Sequence, residues 1–97
     1  MRCEIFANVY LPAIRSMLAR ELLSKGFSKK DIAERLYLSK PAISLYLRRK
    51  RGISFRELEE NEEVLGKIKS LANSLAEKRL SKEELEEEFC RICKLIL

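Results

Sequence analysis

Ninety-seven residues with 20 Lys and Arg against 15 Asp and Glu, 46% apolar and 36% charged, exclude a disordered chain and bound one modest domain whose stability a second copy would help. No run of eighteen apolar residues occurs, and the opening MRCEIFANVYLPAIR is broken by Glu4 and Asn8 with no small-residue cleavage site behind it, so the sequence predicts a soluble, cytoplasmic protein with no membrane partner. His, Gln, Thr and Trp are absent while Leu, Lys, Glu and Arg abound, the bias of a thermophilic protein, in which an intracellular disulfide is tolerated.

In chain order, Ile14, Met17, Leu18 and Leu22 give a helix that Gly26 stops, with Pro12 either in its first turn or kinking a helix begun near Cys3. FSKKDIAERL follows, with Ser28 and Asp31 as a capping-box-like pair and Ile32, Ala33 and Leu36 as the inward face of a short second helix. Ser39 caps the next helix. Pro41 falls in its first turn, where a missing N–H costs nothing, and Gly52 ends it. Ile43, Tyr46 and Leu47 form its inward stripe, leaving Lys40, Pro41, Ser44, Leu45 and Arg48 outward. Beyond the acidic RELEENEE, Val64, Ile68, Leu71 and Leu75 repeat at intervals of 4, 3 and 4; Ser81 and Glu84 form a second capping box before Leu85, Phe89, Ile92 and Ile96 at the same intervals. No strand-period alternation of useful length appears. The expected fold is all-α, with about five helices.

Two short helices across a tight turn make a helix-turn-helix, with the motif over 28–47 and the recognition helix over 39–51. Such a second helix enters the major groove of duplex DNA. Lys40, Pro41, Ser44, Leu45 and Arg48 are therefore the expected base contacts, Arg48 for guanine and Leu45 for a thymine methyl. Ser28, Lys29, Lys30, Ser39, Arg49, Lys50 and Arg51 are the expected phosphate contacts. Charge supports this reading: residues 1–56 hold 13 cations against 4 acids, net +9, whereas residues 57–97 hold 7 against 11, net −4. The plainer reading is a structural helix pair with a solvated basic face. It is weighed down by the stretch from Lys40 to Arg56, which contains no acid. Residues 57–97 are then an acidic dimerisation region of the same compact domain, with Val64, Ile68, Leu71, Leu75, Leu85, Phe89, Ile92 and Ile96 as the dimer interface.

The stretch FSKKDIAERLYLSKPAISLYLRRKRG resembles the helix-turn-helix of Cro- and lambda-repressor-like transcription regulators. Ala33 stands at the close-packed site of the first helix and Ile43 at the core site of the second. With CEIFANVYLPAIRSMLARELL and the terminal FCRICKLI, most of the chain resembles small archaeal helix-turn-helix regulators with a C-terminal CxxC. The resemblance implies a dimeric transcription regulator. It departs at Tyr37, which stands where the family's turn has glycine; if that turn needs positive φ, the tyrosine costs about 1 kcal/mol.

Cys90 and Cys93 share a helical face, and a symmetric pair of chains would bring four thiolates, suited to zinc or an iron–sulfur cluster. Buried apolar thiols are the leading reading, since the residue type favours them; a metal held among Cys3, Cys90 and Cys93 and a disulfide from Cys3 to either share the rest. No cofactor is required by the DNA-binding reading. With no His, no glycine-rich phosphate loop and no strand before the CxxC, an enzyme is not expected. The function expected is a sequence-specific duplex-DNA-binding transcription regulator; the alternatives are a helical protein- or RNA-interaction module, or a metal- or redox-responsive switch through the CxxC.

Overall fold

A π-helical stretch, Phe6–Tyr10, runs without a break into α1, Leu11–Ser24, and Pro12 stands in the first turn of the latter. Proline has no N–H for the carbonyl four residues back and crowds it, and the wider preceding turn gives that carbonyl room. The first-turn expectation for Pro12 holds, whereas a helix start near Cys3 falls outside the described residues. The computed structural model describes residues 6–48 and 53–96, so Cys3 lies outside the described residues, as do Arg49, Lys50, Arg51 and Gly52.

The remaining helices are α2, Lys29–Leu36; α3, Lys40–Arg48; α4, Ile53–Glu60; α5, Glu62–Glu77; and α6, Lys82–Ile96. No strand occurs among the described residues. Among the described residues six α-helices stand where about five were expected, because the segment read as an acidic lead-in is itself a helix, α4, which buries Phe55 and Leu58. A single residue, Asn61, separates it from α5, and its side chain accepts from the Val64 N–H at 3.1 Å, satisfying one of the donors a helix start leaves open.

α1 is the central post. Its Ala13, Ile14, Leu18, Ala19 and Leu22 are almost wholly buried, and it packs against α2, α3, α4 and α5. Val64, Ile68, Leu71 and Leu75 of α5 are likewise buried, as are Leu85, Phe89 and Ile92 of α6, while Ile96 packs half-buried on the same core. This corrects the expected dimer interface. The 4-3-4 stripes are covered by the chain's own helices, so these residues hold the monomer together and present no seam to a second copy. Each fully buried aliphatic side chain among them contributes about 1.5–3 kcal/mol.

Polar contacts tie the basic front to the acidic back. The Arg35 guanidinium of α2 stacks on Phe27 at 4.4 Å and donates through Nε to the Leu75 carbonyl of α5 at 3.0 Å. Arg79 pairs with Glu34, but both are well exposed, so the pair adds little. Ser81 and Glu84 form the anticipated reciprocal box: the Glu84 N–H donates to Ser81 Oγ at 3.0 Å and the Ser81 N–H to Glu84 Oε1 at 2.8 Å.

Candidate nucleic-acid interface

The motif is assembled from local signals. Ser28, in extended backbone, accepts from the Asp31 N–H at 3.1 Å and so starts α2. α2 ends as α1 does. After α1, Gly26 at φ 98° lets the Phe27 N–H reach back to the Leu22 carbonyl at 3.1 Å; after α2, Tyr37 at φ 58° lets the Leu38 N–H reach the Ala33 carbonyl at 2.9 Å. Both are Schellman endings, which glycine favours because it lacks a Cβ. The turn does take positive φ, with a tyrosine in place. Its phenol donates to the Leu80 carbonyl at 2.5 Å, a contact glycine has no means to make.

Ser39 then caps α3, its Oγ accepting from the Ala42 N–H at 3.2 Å. Ile43 is fully buried, Leu47 packs on the core, and the buried Ser16 of α1 donates to the Tyr46 carbonyl at 2.7 Å. α3 is thereby held along its inner edge. Its outer edge carries Lys40, Pro41, Leu45 and Arg48, all exposed, with Ser44 half-buried; Leu45 stands 62% exposed. Lys40, Ser44 and Arg48 recur every four residues, so the edge spans about 12 Å along the axis.

Ser28, Lys29 and Lys30 lie exposed at the start of α2, and Ser39 at the start of α3. The C-terminal half spends cations on its own acids: Lys67 pairs with Glu88 at 3.1 Å, and Arg91 with Glu87 and Glu88. Lys29, Lys30, Lys40 and Arg48, by contrast, have no acidic partner among the described residues. Two features escaped the sequence reading. Lys25 is exposed just before α2, and Tyr46, assigned inward by spacing, is half-exposed and lines a surface cleft with Pro12, Leu45 and Arg48. The cation preceding Gly26 was a usable signal for the first; nothing in the stripe pattern marked the second.

No family model matches the chain, and neither does any curated protein or solved structure.

Cys90 is exposed and Cys93 half-buried, both on α6, so the expectation of buried thiols is not met at Cys90. Among the described residues no group of three or more His, Cys, Asp or Glu is placed to hold a metal ion. No helix among them is long and apolar enough to cross a membrane.

Proposed function

We propose that the protein is a sequence-specific duplex-DNA-binding regulator of transcription that lays α3 in the major groove. One observation carries the reading: an outer edge of α3 with unpaired cations at both ends, on a helix fixed from beneath by Ile43 and by the Ser16 bond. A groove about 12 Å wide admits a helix of this diameter, and the span from Lys40 to Arg48 matches about three to four base pairs at 3.4 Å each. Arg48 then reads guanine, and Ser44 and Leu45 take neighbouring bases, Leu45 against a thymine methyl. Lys29, Lys30 and the α2 N-terminus hold phosphate and set the register.

The cations Lys40 and Arg48 at the two ends of one exposed edge, with no acid on α3, favour a base-reading edge over a solvated face of mixed charge. Duplex RNA fits less well, since its major groove is too deep and narrow for a helix to read.

The test is selection of bound duplexes from a random pool, followed by titration against salt. The expected result is an enriched site, with affinity falling roughly 10³-fold or more between 50 and 200 mM salt when six or more phosphates are neutralised. A palindrome with half-sites about 34 Å apart would mean that two copies bind together. An unenriched pool and a flat salt response would end the proposal.

A further inference from the structure

A cavity of about 360 Å³ lies between the N-terminal stretch, the turn after α2 and the face of α6. Its walls are apolar: Phe6, Leu11, Leu36, Leu85 and Phe89. Arg15 lines it too, and its Nε is buried with no hydrogen-bond partner, its guanidinium lying over the Phe89 ring at 5.9 Å. A buried cationic donor left without an acceptor is a rare and costly arrangement in a folded chain. The volume sits at the lower end of small-molecule sites, roughly 300–1,000 Å³, which typically combine apolar walls with very few polar groups.

We propose that this cavity binds a small organic carboxylate with an apolar body. A carboxylate is held by the charge of the Arg15 guanidinium on the lining, while the apolar body fills the space between Phe6, Leu36 and Phe89. Lys82, exposed on the lining, adds a second positive charge. Glu86 on the same lining opposes anions of higher charge, so a monoanion suits the site better than a phosphate. Tyr37 also lines the cavity, and it is the residue that sets the α2–α3 turn. Occupancy is therefore transmitted to the angle of α3, a regulatory consequence that rests on the DNA-binding reading; the binding itself does not.

The experiment is calorimetric titration of the full chain with octanoate and, separately, with octan-1-ol, which keeps the apolar body and removes the charge. Octanoate is expected to bind at least about tenfold more tightly, the scale of one charge-assisted pair. Arg15→Met should lower octanoate affinity about tenfold and leave octan-1-ol unchanged, and bound octanoate should slow alkylation of Cys90, which shares the lining. Equal affinity for the two ligands, or no saturable binding of either, overturns the proposal. Should Arg15→Met fail to fold, the pair of ligands decides the matter on the unaltered protein. Duplex affinity measured with and without octanoate tests the transmission separately. Octanoate binding with unchanged duplex affinity refutes the transmission alone, whereas a protein that binds octanoate but no duplex refutes only the DNA reading.

Discussion

The phenol of Tyr37 donates to the carbonyl of Leu80, 43 positions further along the chain, joining the turn between α2 and α3 to the segment that leads into α6. The same residue holds φ 58°, a conformation that costs a side chain with a Cβ about 1 kcal/mol. Tyr37→Phe keeps that cost and removes the bond, so it should destabilise by about 1 kcal/mol. Tyr37→Ala and Tyr37→Gly both lose the whole side chain, but only alanine retains the conformational cost. The glycine variant should be about 1 kcal/mol more stable than the alanine variant, the reverse of their order inside a helix. Urea midpoints of the three variants check both statements.

Ile68 and Ile92 are fully buried within one chain. Truncating either to alanine should cost about 2–5 kcal/mol, through lost burial and the cavity left behind. Because the surface they cover belongs to the same chain, the loss should not vary with protein concentration. A midpoint that climbs with concentration in the wild type and not in the variant would instead place these residues between two copies.

Ser16 is buried and its hydroxyl anchors α3 through the Tyr46 carbonyl. Ser16→Ala should destabilise by about 1 kcal/mol and weaken duplex binding, since α3 loses a fixed point under its reading edge. A stability change with no change in duplex affinity would show that Ile43 and Leu47 suffice to hold the edge in place.

Arg48 and Lys29 are exposed and have no acidic partner among the described residues, so alanine at either should change stability by no more than about 0.5 kcal/mol. Their effects on DNA should differ in kind. Arg48→Ala should cost about 1–3 kcal/mol and relax preference at one base position, whereas Lys29→Ala should weaken all sequences alike and reduce the salt slope by about one. Competition between the selected site and single-base variants reads the first, and a salt titration the second.

The bonds between Glu84 and the Ser81 N–H and hydroxyl hold the Glu84 carboxyl below the usual carboxylate range, the backbone bond being the larger cause. A folded-state value below the unfolded one gives stability that is present above about pH 4.3 and is lost as pH falls through the folded value. Glu84→Gln keeps the cap geometry and removes the titration, so its denaturation midpoint should fall less steeply between pH 5 and 3 than that of the wild type. Parallel curves would show that other carboxylates govern the acid response.

The front of the molecule was legible because its signals are local. Ser28 and Ser39 announce their helices by cap chemistry, Gly26 by its φ, and Ile43 by its place in the stripe. Tyr37 carried the same backbone requirement as Gly26 without glycine's signature, and only the resemblance raised the question. α4 was missed because its acids hid Phe55 and Leu58, and because the one-residue link at Asn61 is shorter than most helix connections. The α5 and α6 stripes illustrate a different limit of periodicity: spacing states that a face is covered, and is silent on whether the cover belongs to the same chain. The Arg15 cavity draws on the N-terminal stretch, the turn and α6 at once, so no single window of sequence displays it.

Arg35 links α2 to the last turn of α5, donating to a carbonyl that helix leaves without an internal partner. The basic N-terminal half is consequently not a detachable cassette. Severing the chain near residue 56 would strip α1 of its cover from α5 and remove the carbonyls that Arg35 and Tyr37 donate to, so a fragment cut at the midpoint of the charge map should unravel, and any graft of the basic half must carry its acidic counterweight with it.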